Sequence, residues 1–226
     1  MNKIIIAMAL SLAAFPAFAD TQVQAIKSKS PTWGKFDTCL TDVLKVKGDP
    51  AKGEEAYKQC RGCHKGDASG KPDAGYPQLA GQHESVLIKQ MMDVRCDNRD
   101  NPRMHPFISE GEVPVSDIPQ IAAYLSTLPV PDTNRKGSGL HLGHGKALYD
   151  KDCASCHGKK GEGDAAKFYP MVASQHYPYL YRESVNIHDK IRRNANPEMI
   201  KVLQSYSDED IAAVSDYMSR LPPVKQ

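Results

Sequence analysis

The chain has 226 residues, with 29 Lys+Arg against 27 Asp+Glu, 40% apolar residues and 25% charged ones. These proportions suit a globular protein and exclude disorder and collagen-like repeats, and a formal charge of +2 is too balanced for a nucleic-acid binder that works by neutralising phosphates. With 16 Gly and 16 Pro but only 5 Phe and 1 Trp, the chain is rich in loops and needs something besides side chains to fill its interior.

In chain order, residues 1–19 come first. Lys3 gives a basic start, residues 4–14 are an apolar run, and Ala17-Phe18-Ala19 is a small-x-small cleavage site. These are the parts of a secretory signal peptide cleaved after Ala19; the run is too short for the ~20 residues of a spanning helix. The product is expected in the periplasm, under conditions that permit disulfides. Residues 20–48 form an N-terminal extension with Trp33, Cys39 and a helical-looking stretch over 36–46.

Two Cys-x-x-Cys-His motifs follow, Cys60–Cys63–His64 and Cys153–Cys156–His157. The spacing reads as covalent attachment of a c-type haem. Each thiol adds to one vinyl group, and the adjoining histidine is placed as the proximal iron ligand. A thioredoxin-like pair or half of a zinc site fits less well, since both copies carry the histidine on an exported chain. Two covalently bound haems are expected.

The motifs belong to an internal repeat offset by 93 residues. Tyr76-Pro77 maps to Tyr169-Pro170, Gln82-His83 to Gln175-His176, and Tyr124, Leu128 and Pro129 to Tyr217, Leu221 and Pro222. Only the middle slips, where Asn101-Pro102-Arg103-Met104 matches Asn196-Pro197-Glu198-Met199 at an offset of 95. The division expected is a first domain over 49–129, a linker over 130–144 and a second domain over 145–226.

Helical patterns precede each motif (51–59 and 145–152), follow each Gln-His pair (84–94 and 178–192) and close each repeat (116–128 and 207–221). In the last, Ser207 with Asp210 resembles a capping box. No alternating run predicts a strand. The fold class is all-α, a few helices around one covalent haem in each domain.

The sixth iron ligand should be Met104 in the first repeat and Met199 in the second, 40 and 42 residues after the proximal histidine. The Asn-Pro that precedes each is expected to hold an extended loop. His83 and His176 are a rival symmetric pair. Met171 has Gln78 as its counterpart, which argues against it. Cys39 and Cys96 are left over, and in an oxidising compartment a leftover pair is expected to be bridged. The competing role for Cys96 is a thiolate ligand, opposed by the intact Asn-Pro-Arg-Met104.

Two tandem motifs behind a signal peptide, with Tyr-Pro-Gln-Leu-Ala-Gly-Gln at 76–82 and Arg-Asp-Asn-Pro-Arg-Met at 99–104, resemble the dihaem cytochrome c4 family over about residues 50–222. The resemblance implies two class I cytochrome c domains facing each other, acting as a periplasmic electron carrier that feeds a terminal oxidase or another acceptor. Under it, His64 and His157 match the proximal ligands, Met104 and Met199 the distal ones, and Tyr76 and Tyr169 aromatic positions around the haem. Val172-Ala-Ser-Gln175 departs from Leu-Ala-Gly-Gln. Three classes of function stay open: a soluble carrier between a membrane-bound quinol-oxidising complex and a terminal oxidase, the cytochrome subunit of a dehydrogenase, and a dihaem enzyme such as a peroxidase or thiosulfate dehydrogenase. The first is favoured, with redox proteins as partners, no nucleic acid, and membrane association at most peripheral.

Overall fold

The computed structural model describes Thr32, Gly34 and residues 38–224, without the side chains of residues 38 and 39. The expected signal peptide and most of the N-terminal extension lie outside the described residues. Among those described there is no strand; two isolated antiparallel bridges, Lys71–Tyr76 and Asp164–Tyr169, stand at equivalent places in the two repeats. No helix among them is long and apolar enough to cross a membrane.

The first repeat is built on α1 (Pro50–Ala56), α2 (Glu84–Arg95) and α3 (Asp117–Thr127). Asp49 caps α1 by accepting from the Ala51 N–H, with Pro50 inside the start, where its missing N–H costs nothing. The second repeat uses α4 (Leu142–Leu148), α5 (Tyr177–His188), α6 (Pro197–Leu203) and α7 (Asp208–Arg220). The predicted capping box opens α7: the Asp210 N–H donates to Ser207, and the Ser207 N–H donates back to Asp210.

Each repeat crosses its first helix over its last, and a glycine lets the backbones meet. A Cβ on Gly53 would collide with the carbonyl of Gln120, and one on Gly145 with that of Ala213. Two hydrophobic cores result. One gathers Tyr57, Leu87, Met92, Ile118, Ile121 and Leu125; the other gathers Tyr149, Leu180, Ile187, Ile211, Val214 and Met218. Full burial of such side chains contributes about 1.5–3 kcal/mol each.

Two elements differ from the sequence expectation. Residues 197–203 are helical rather than extended, because Asn196 accepts from the Glu198 N–H and Pro197 occupies the first helical position. Asn-Pro is thus a helix start here. Cys96, which the sequence would place with the middle helix of the first repeat, follows Arg95 as the C-cap of α2. The linker over 130–144 has no regular structure before α4, yet it is strapped to the second repeat. Asn134 Nδ2 donates to the Gln175 and Ser219 carbonyls, and the Gly137 and Gly139 N–H groups donate to Asp216.

Candidate haem-attachment sites

Each Cys-x-x-Cys-His motif folds as a tight helical turn. Tyr57–Cys60 forms a 3-10 turn leading into Arg61–His64, and Tyr149–Cys153 forms a π-turn leading into Ala154–His157. A buried tyrosine anchors each turn: the Tyr57 hydroxyl donates to the Lys65 carbonyl at 2.9 Å and that of Tyr149 to the Gly158 carbonyl at 2.6 Å. The residue after each histidine has positive φ, Gly158 in one repeat and Lys65 in the other. That bend lets the chain return, so that the N–H groups of Gly70 and Gly163 donate to the carbonyls of His64 and His157.

The histidines are fixed by the same contact in both repeats. His64 Nδ1 lies 3.1 Å from the Pro77 carbonyl, and His157 Nδ1 lies 2.9 Å from the Pro170 carbonyl. A carbonyl only accepts, so each Nδ1 carries the proton and each Nε2 keeps its lone pair for a metal. Burial holds both imidazoles below the usual histidine range, against the opposing effect of these hydrogen bonds. Tyr76 and Tyr169 pack beside them, with ring centroids 6.0 and 6.4 Å away.

All four motif cysteines are free thiols. Burial, with Cys63 beside it, raises Cys60 to about 11; burial, with Asp152 and Cys156, raises Cys153 to about 12. Both therefore stay protonated at neutral pH, and a thiol resists oxidation to a motif disulfide better than a thiolate does. Cys96 is disulfide-bonded; the side chain of Cys39 lies outside the described residues.

Met104 packs half-buried against the first core and Met199 against the second. Met104 precedes the turn His105–Ile108, and its N–H donates to Asn101 Oδ1 at 3.2 Å. Met171 is buried in the second core. The rival histidines are engaged elsewhere. His83 Nε2 meets the Glu162 carbonyl at 2.8 Å, and His176 Nε2 meets that of Ser69 at 2.7 Å. The Arg135 N–H donates to His176 Nδ1 at 3.1 Å, so His176 donates from Nε2, whose lone pair is no longer available to a metal.

These two contacts belong to a pseudo-twofold interface between the repeats whose residue pairings the sequence did not disclose. Gln82 brackets Met171, accepting from its N–H and donating to its carbonyl, both at 2.9 Å. Gln175 brackets Gln78 in the same way, at 3.0 and 2.9 Å. Beside them Arg99 and Arg192 converge on Glu183 Oε2 at 2.8 and 3.2 Å, and each also donates to Gln90. Arg182 binds Glu183 Oε1 from the other side. Burial pushes the Glu183 carboxyl up, but the three guanidiniums outweigh it and hold it at about 2. The only advance signal was the duplicated Gln-His pair, whose partners lie across the repeat.

The comparisons with known proteins agree with this geometry. The protein-family model described as cytochrome c matches residues 143–222. Cytochrome c4 of Pseudomonas aeruginosa is 30% identical over 192 residues, covering 80% of this chain and 93% of that protein. The chain belongs to the cytochrome c4 family. A family member is an electron-transfer cytochrome rather than an enzyme, and it carries covalent haem c with its iron. The crystal structure of reduced recombinant cytochrome c4 from Pseudomonas stutzeri superposes with a TM-score of 0.69 at 26% identity, over 77% of this chain and 99% of that one. A relative from Stutzerimonas stutzeri named thiosulfate dehydrogenase electron acceptor is 29% identical over 198 residues, covering 79% of this chain and 90% of its own.

The donor sets suit the cofactor of the cytochrome c4 family. Two free thiols next to a neutral imidazole with an open Nε2 are what thioether attachment and axial ligation require. In addition, Arg61 Nε, within the first motif, is buried without a hydrogen-bond partner, and a buried donor of this kind calls for an acceptor.

Proposed function

We propose that the protein is a periplasmic dihaem carrier, exported with cleavage after Ala19, with one haem on Cys60, Cys63 and His64 and a second on Cys153, Cys156 and His157. Met104 and Met199 complete the two irons. Residues 49–129 and 145–226 are the two cytochrome domains, joined by the linker over 130–144. The observation that carries this reading is the duplication of one local geometry: free thiol pair, neutral histidine tied to a proline carbonyl, and a half-buried methionine on the same core.

Bound haem supplies a one-electron couple; the polypeptide decides how it is used. His64 and His157 are oriented by Pro77 and Pro170, which fixes the donor nitrogen. The thioethers, unlike His83 and His176, have no carbonyl to serve. Met ligation raises the potential, which suits delivery toward a terminal oxidase. The relative named thiosulfate dehydrogenase electron acceptor supports a periplasmic dehydrogenase as an electron donor. Cys39 is the remaining partner for the bonded Cys96, since the other four cysteines are free; that bridge ties the extension over 20–48 to the first domain.

An anaerobic titration of the purified protein tests the stoichiometry. Two one-electron equivalents per chain are expected, with no steady consumption of peroxide or thiosulfate. Uptake of a single electron, or turnover of either compound, overturns the reading.

A further inference from the structure

The interface glutamines touch one particular pair of peptide groups. His64 Nδ1–H donates to the Pro77 carbonyl, and the N–H of that same peptide unit, on Gln78, donates to Gln175 Oε1 of the other repeat at 3.0 Å. In the second repeat His157 donates to the Pro170 carbonyl, and the N–H of that peptide unit, on Met171, donates to Gln82 Oε1 at 2.9 Å. Each histidine is therefore joined to the opposite repeat through a single amide.

The orientation of both glutamines is determined. Gln175 Oε1 also accepts from the His176 N–H at 3.0 Å, and Gln82 Oε1 from the His83 N–H at 3.1 Å. Each Nε2 donates to a carbonyl, that of Gln78 or of Met171. A flipped amide would face donors with a donor and a carbonyl with an oxygen. Gln78 and Gln175 are both buried, so these bonds act in a medium of low dielectric.

We infer that Gln175 and Gln82 are crossed positioning residues for electron transfer: Gln175 of the second repeat sets the electron donation of His64 in the first, and Gln82 of the first sets that of His157 in the second. This rests on the proposed ligation by His64 and His157. An acceptor on an amide N–H shifts electron density toward its carbonyl oxygen, and consecutive hydrogen bonds strengthen one another by about 10–30%. A stronger acceptor at Nδ1–H makes the imidazole a more basic ligand, which favours the ferric iron. Removing the glutamine acceptor weakens the chain and raises the potential of the iron in the opposite repeat. The same path works in reverse, so each iron's oxidation state is felt at the other repeat's interface.

The test is the Nδ1–H resonances of His64 and His157 in the reduced, diamagnetic holoprotein, read together with the two reduction potentials. Gln175→Leu should move the His64 resonance upfield and leave that of His157 in place; Gln82→Leu should do the reverse. Each should change the reduction equilibrium of the crossed iron by about threefold, which is about 30 mV at 59 mV per tenfold. Ser85→Ala, which loses a bond to the Ala165 carbonyl across the same interface, should move neither. If a leucine variant does not fold, Gln175→Glu or Gln82→Glu keeps an oxygen acceptor, and the crossed resonance should stay or move downfield. A shift confined to the substituted residue's own repeat, equal shifts in both, or no shift overturns the inference. Failure of the ligation reading looks different: the unsubstituted protein would lack the ring-current shifts of an iron-bound imidazole at one of the histidines.

Discussion

Replacing Glu183 with alanine is expected to destabilise the holoprotein by about 3–5 kcal/mol, the loss typical of breaking a buried ion pair from one side. The carboxylate is 11% exposed and binds Arg99, Arg192 and Arg182. Arg99 and Arg192 side chains are only 10% and 16% exposed, so without Glu183 two guanidiniums face each other with little water between them. Gln90 remains as a partner for both, but it carries no charge. For a chain of this size the thermal midpoint should fall by about 10 °C. A loss below about 1 kcal/mol in chemical denaturation would show that the cluster contributes little.

The same carboxylate gives the pH dependence its sign. Its pKa is about 2 in the folded protein against an ordinary 4.5. A depressed folded-state pKa means stability that is fully present above about pH 4.5 and is lost as the pH falls toward 2. At 1.36 kcal/mol per unit, the contribution is about 3 kcal/mol, on the same scale as the truncation. Wild-type stability should therefore decline across that window, and Glu183→Ala should decline less steeply.

Met104→Ala and Met199→Ala should each remove about half of the weak near-infrared charge-transfer band of the ferric protein. Each should also lower one potential by on the order of 0.1 V, within the about 0.8 V that axial ligands span. The alternative ligands are poorly placed to substitute. His83 and His176 both hold carbonyls of the opposite repeat, and moving either breaks the interface. The assignment is wrong if both variants keep the full band.

What could be read in advance was whatever is local. The Cys-x-x-Cys-His spacing and the Ser207–Asp210 capping box involve residues a few positions apart, and the capping box opens α7 as expected. Asn196-Pro197 was equally local, but it carries two meanings; read as an extended loop, it starts a helix that bears Met199. Which residues meet at the interface was not legible. Gln82 finds Met171 and His176 finds Ser69 at separations of 89 and 107 residues, and no periodicity encodes such pairings. Arg99, in the bend after α2, and Glu183, on α5, likewise meet only across the interface, at a separation of 84 residues. The segment over 130–144 reads as a linker, and nothing local in it announces that Asn134 and Asp216 hold it down.

Carbon monoxide binding to the fully reduced protein most directly tests whether this is a carrier with two closed irons. Met104 and Met199 must leave before an exogenous ligand can enter, so binding should be slow and incomplete at both haems. Rapid, saturable binding at either one would mean an open iron, and would contradict the account.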